Sequence, residues 1–199
     1  MYRSRKLLFA AALLGTATFG IAPAHATDID VDATMTASAA VTVAKDADMD
    51  FGGIDFVTGH SGTIELGPDG NAALGGGSSN LTLTGTPAAG ELSVTSSSGV
   101  LEITCDQTGI ISDGAIDLSI SAVVWDTSAA ATYGGATNTC AGLGTSPVVI
   151  DTGTVGDPTL YIGGELTIGS NVLDASSGST PFNTTNTNGD PITFRFVFQ

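Results

Sequence analysis

Positive charge is what this chain has least of. Five Lys and Arg stand against 20 Asp and Glu in 199 residues. Arg3, Arg5 and Lys6 sit in the first six positions, so from residue 27 onward only Lys45 and Arg195 face all 20 acids, a net charge of −18. Such a balance excludes nucleic acid and anionic membrane surfaces as electrostatic partners and leaves no basic patch for a phosphate or carboxylate ligand. Metal-binding side chains are as scarce. Beyond residue 26 the only histidine is His60, and the two cysteines, Cys105 and Cys140, do not stand in a Cys-x-x-Cys spacing, so a zinc-type site and a redox-active pair are disfavoured and no cofactor is expected. In an exported chain such an even pair reads as one disulfide, worth about 4 kcal/mol by loop closure. Long apolar runs are also missing: nothing approaches the ~20 residues of a transmembrane helix, so membrane insertion is not expected. Nor does any window hold a 3.6-residue apolar period.

What is present begins with a leader. The cations at 3, 5 and 6, the apolar residues 7–14 and Ala24-His25-Ala26 form the n-region, h-region and cleavage site of a secretory signal peptide over residues 1–26. Export to the periplasm, and from there to the cell surface or an extracellular filament, is the expected route. Residues 28–43 then alternate: Ile29, Val31, Ala33, Met35, Ala37, Ala39, Val41 and Val43 are apolar, and the residues between them are polar apart from Ala40. This is the pattern of a strand with one dry and one wet face. Its length, ~50 Å at ~3.3 Å per residue, exceeds what one compact domain uses. Residues 27–36 therefore read as an extension that one molecule can donate to another, with Ile29, Val31, Ala33 and Met35 as its inward side chains.

The remainder, residues 37–199, reads as one domain of short strands. Runs at 54–57, 62–66, 81–84, 92–95, 100–104, 116–125, 148–150, 160–168 and 192–198 are separated by turn chemistry such as Gly67-Pro68-Asp69-Gly70, Thr86-Pro87 and Gly156-Asp157-Pro158. Close spacing of that kind predicts an all-β, two-sheet sandwich. The last run repeats the logic of the first: Ile192, Phe194, Phe196 and Phe198 form one apolar face. It is either an internal core strand or the edge of a groove that accepts another subunit's strand. The groove is expected between this strand and the one that follows Ala37.

Residues 37–53, reading ASAAVTVAKDADMDFGG, followed by Leu83-Thr84-Gly85-Thr86-Pro87 and by Tyr161-Ile162-Gly163-Gly164-Glu165-Leu166-Thr167-Ile168, resemble a family of exported bacterial β-proteins labelled domain of unknown function forty-four-zero-two. The family shows an "x-x-x-L-D-F-G" turn, a "T-G-x-P" step and a "V-G-G-T-L-T-V" strand in that order. The chain departs from it near the end, where residues 181–190 are Asn- and Thr-rich and Phe198 takes the place of a tyrosine. The resemblance implies an immunoglobulin-like, pilin-like domain, and with it a periplasmic chaperone and an usher as partners.

Constellations that would carry chemistry fall short. Asp46, Asp48 and Asp50 imitate the start of a calcium-binding loop, but its sixth and twelfth places hold Phe51 and Val57 rather than Gly and Glu. His60, between Gly59 and Ser61-Gly62, reads as an exposed turn residue without a partner for a catalytic triad. Trp125 reads as a core anchor rather than a sugar platform. The sequence thus points to a non-enzymatic, secreted, fimbria-like subunit that polymerises by strand addition. A monomeric adhesin that binds glycan or calcium is the alternative, and a hydrolase the remote one.

Overall fold

A computed structural model describes residues 41–96, 99–174 and 181–199. Among them the chain forms twelve strands, one turn of 3-10 helix at Tyr133–Gly135 and one short helix. The strands are β1 (Val41–Ala47), β2 (Gly53–Leu66), β3 (Ala72–Leu74), β4 (Ser79–Thr84), β5 (Gly90–Ser96), β6 (Val100–Cys105), β7 (Gly109–Ser112), β8 (Asp117–Asp126), β9 (Asn138–Thr139), β10 (Val148–Asp151), β11 (Thr159–Ile168) and β12 (Phe194–Phe198). The helix α1 (Thr152–Val155) follows β10, with the Asp151 carboxylate accepting the amide of Gly153.

All the ladders are antiparallel, and they form two sheets packed as a sandwich. In the large sheet β1 pairs with β5, and β11 is the hub, pairing with β5, β8 and β2. β3 and β4 extend it along β2, while β7 and β9 extend it along β8. The small sheet has the order β10-β6-β12. Alternation decides which side chains meet between the layers. On β6, Leu101, Ile103 and Cys105 are buried while Val100, Glu102 and Thr104 are half-buried. Val94, Ile64, Leu66, Ile120, Leu160, Leu166 and Trp125 answer them in the same core. Trp125 is completely buried, so it serves as a core anchor and not as a sugar platform.

The disulfide joins Cys105, the last residue of β6, to Cys140, just past β9. It therefore ties the small sheet to the large one. The Cys140 amide also donates to the Val123 carbonyl at 2.8 Å, and the Gly142 amide to the Cys105 carbonyl at 3.0 Å.

Several sequence expectations need correction. The runs at 54–57 and 62–66 are one fourteen-residue strand, β2, bent where its register against β4 slips between Phe56 and Ser61. Gly59, at φ 84°, allows that bend. The last strand starts at Phe194, not Ile192, and β3, β7 and β9 were not legible as strands because they are two to four residues long. β8 keeps alternating through Leu118 and Ile120, then slips at Ala122, whose φ is 47°, so that Val123 and Trp125 take over the inward face. The Gly163-Gly164 pair on β11 lies opposite this slip. A side chain at Gly163 would run into the Leu66 carbonyl, which is why that strand carries glycine there.

Candidate functional site

His60 is the largest correction. It lies inside β2 and is only 2% exposed. Its Nε2 accepts the amide hydrogen of Leu173 at 3.0 Å, and its Nδ1 lies 3.1 Å from the Val57 carbonyl. An accepting Nε2 places the ring proton on Nδ1, which donates to Val57. The ring also packs edge-on against Phe56, with centroids 4.9 Å apart. Around it the Asn171 amide donates to the His60 carbonyl at 3.0 Å, and the Asn171 side-chain oxygen accepts from the Gly59 amide at 2.7 Å. His60 is thus a buried clamp between the bend of β2 and the segment after β11, not an exposed turn residue. Its Gly-Ser-Gly surroundings read as a loop because glycine is needed both for turns and for a bent strand.

The other titratable groups are also structural in their contacts. Asp126, buried at the end of β8, accepts the Thr137 hydroxyl at 2.6 Å, the Thr137 amide at 2.8 Å and the Ser128 amide at 2.9 Å. Burial pushes its carboxyl up, but the hydrogen bonds from Thr137 and Ser128, with one from the Thr127 amide, outweigh it and hold the group below its ordinary value. They close the loop between β8 and β9. Glu65 and Glu165 stand directly opposite each other across β2 and β11, and Ser121 donates its hydroxyl to Glu165 at 3.1 Å. Burial, then the negative charges of Glu165 and Glu65, raise the Tyr133 phenol.

The three aspartates that imitate a calcium loop have separate partners. Ser93 donates its hydroxyl to Asp46, Lys45 pairs with Asp48 at 2.6 Å, and Asp50 accepts the Gly52 amide at 2.8 Å. Among the described residues no three His, Cys, Asp or Glu side chains are grouped to hold a metal ion. A shallow recess of about 170 Å³ is lined by Asp55, Phe56, Val57, Asn80, Leu81 and Thr82.

Among the described residues, unpaired backbone remains at the strand edges. Ladder geometry identifies which residues face outward, because in an antiparallel strand both polar groups of a residue point to one side and alternate along the chain. The Gln199 amide donates to the Val100 carbonyl, and the Asp106 amide to the Thr193 carbonyl. In that register Arg195 and Val197 bond to β6, so the N–H and C=O groups of Phe194, Phe196 and Phe198 point to the open side of β12. The Val94 amide donates to the Pro158 carbonyl, which turns the intervening β5 residues 93 and 95 toward Ala44 and Thr42 and leaves Val41, Val43 and Lys45 facing the open side of β1. On β10 the same reasoning from the Thr152 amide, which donates to Gly99, leaves Val149 and Asp151 outward.

β1 and β12 share no ladder and belong to different sheets, so the open edge of one does not adjoin the other as two strands of a single sheet. Phe194, Phe196 and Phe198 are half-buried and alternate with exposed Arg195 and Val197, and Ile192 lies two residues before the strand, packed against the core. Ile29, Val31, Ala33 and Met35, like the leader, lie outside the described residues. No helix among the described residues is long and apolar enough to cross a membrane.

Fold and edges together define a disulfide-stapled, all-β sandwich of two antiparallel sheets whose end strands each have one side unpaired among the described residues. The chain belongs to the family described as Domain of unknown function (DUF4402), which matches residues 41–185. No curated protein and no solved structure matches it.

Proposed function

We propose that this protein is an exported structural subunit of a fimbria-like surface filament, with an immunoglobulin-like sandwich that polymerises when the N-terminal strand of one copy joins the sheet of the next. The observation that carries the reading is the bare edge of β12, where a short sheet ends on an aromatic strand with one side of its backbone unpaired among the described residues. An added strand gains main-chain hydrogen bonds along such an edge, and its alternate side chains fill the adjoining core. Ile29, Val31, Ala33 and Met35 have the required period of two. Before assembly the same edge invites aggregation, which gives a periplasmic chaperone and an usher their place as partners. The role is non-enzymatic and needs no cofactor.

Register supplies the test. Val31→Asp puts a charge on the inward face of the donated strand and abolishes assembly, whereas Asp30→Asn, one residue away on the wet face, leaves it intact. Sedimentation and electron microscopy of the exported protein read the outcome. Equal effects of the two substitutions overturn the reading, and a stable monomer at every concentration replaces it with the self-contained adhesin.

A further inference from the structure

We propose that Asn188 is a self-modification site: its side chain condenses with the Gly189 amide, loses ammonia, and in time frees the segment 183–190 from β7. This is independent of how the chain assembles. Asn188 is the only asparagine of the sequence that is followed by glycine. Ring closure requires the next backbone nitrogen to reach Cγ, and a glycine there has no side chain to hinder the approach. The fold itself demands that glycine, because a side chain at 189 would run into the Thr184 carbonyl.

Side-chain partners set Asn188 apart from its rivals. Asn71, Asn80, Asn171, Asn183 and Asn186 each have a side-chain hydrogen bond of 3.0 Å or less that holds the carboxamide in place. Asn138 lies half-buried in β9 and precedes a β-branched threonine. Asn188 is exposed, and among the described residues its side chain reaches only the Asp117 carboxylate, at 3.4 Å, a long and weak bond. The pairs Asp69-Gly70 and Asp113-Gly114 could close the same ring. Their carboxylates, poorer electrophiles than an amide, are held by the amides of Asn71 and of Ala115 and Ile116.

Hydroxide takes the Gly189 amide proton, and the nitrogen attacks Cγ of Asn188. The new N–Cγ bond closes a cyclic imide, and the side-chain nitrogen leaves as ammonia. Water then adds to one imide carbonyl and the ring nitrogen regains a proton: opening at the main-chain carbonyl gives isoaspartate, opening at the side-chain carbonyl gives aspartate. In the closed turn the Gly189 amide donates to the Asn186 carbonyl at 2.9 Å, so reaction draws on local opening of this exposed turn. The product then undoes the turn's work. Ser112 and Asn183 exchange amide-to-carbonyl bonds of 3.0 Å, and Ile110 and Asp190 exchange bonds of 2.9 Å, which lay the segment along β7. A carboxylate at 188 faces Asp117 as a like charge where a hydrogen bond stood, and isoaspartate adds a backbone methylene just before Gly189-Asp190. The pairing at Asp190 gives way, while that at Asn183 lies on the far side of the turn.

Incubation of the full chain at neutral and mildly alkaline pH, followed by intact mass, peptide mapping and isoaspartyl methyltransferase labelling, tests the site. One amide-to-acid conversion should accumulate, at Asn188, faster at the higher pH. The amides of Ile110 and Asp190 should then exchange hydrogen about tenfold faster, the scale of one lost hydrogen bond, with those of Ser112 and Asn183 unchanged. Asn188→Gly suits the left-handed backbone there, at φ 74°, has no Cγ, and should keep its exchange pattern throughout. Equal conversion at another asparagine overturns the site, as does an unreacted Asn188 under conditions in which the urea-unfolded chain converts there. Complete conversion with Ile110 and Asp190 still protected overturns the release, and so does loosening of those amides during incubation of Asn188→Gly.

Discussion

The amide of Leu173 donates a 3.0 Å hydrogen bond to Nε2 of His60, 113 residues earlier in the chain. Together with the two hydrogen bonds of Asn171 to Gly59 and His60, this contact pins the segment that leaves β11 onto the bend of β2, where His60 is 2% exposed. Histidine does this with one acceptor and one donor, each matched to a backbone group.

Replacing that ring leaves the Leu173 amide without its partner in a buried site and opens a cavity beside Phe56. His60→Ala should destabilise the fold by about 2–4 kcal/mol, read by denaturant unfolding. A loss of only a few tenths would return His60 to the surface. Nitrogen chemical shifts of the native ring should show the proton on Nδ1.

Asp126 predicts a pH dependence with a definite sign. A carboxyl held in the fold below its ordinary value of 3.8 contributes stability that is present in full above that value and is lost as the pH falls through its lower folded value. Wild type and Asp126→Asn should therefore differ most near neutral pH and converge in strong acid. Unfolding curves at a series of pH values check this, and a gap that widens on acidification would contradict it.

The Cys105–Cys140 bridge spans 35 residues and ties the two sheets together. Cys105→Ser with Cys140→Ser should lower stability by up to about 4 kcal/mol, with assembly specificity unchanged when the protein is held below its new melting temperature. Thiol labelling of the native protein should find no free sulfhydryl. Labelling of both sulfurs would remove the staple.

Ala122 sits at φ 47° in the register slip of β8. Left-handed backbone costs an alanine roughly 1 kcal/mol that glycine avoids. Ala122→Gly should accordingly be neutral or mildly stabilising and Ala122→Val clearly destabilising, by thermal melts. The reverse order would mean that this strand does not slip at Ala122.

Sequence alone determined what depends on neighbours along the chain. Period-two alternation marked β5, β6, β8, β11 and the aromatic β12, because side-chain direction follows from backbone position alone. Turn residues marked the breaks, and the two cysteines marked the bridge. What depends on partners distant in the chain was decided only by tertiary structure. Whether residues 54–66 form two strands or one bent one turned on Gly59 and the slip against β4, and whether His60 is surface or core turned on an amide at Leu173. The same holds for charge. Lys45 and Arg195 are equal in the sequence as the two cations left beyond the leader, yet among the described residues Lys45 is paired with Asp48 and Arg195 has no ion pair. Which groups a side chain meets depends on which ladders form, and ladders join residues that the sequence keeps far apart.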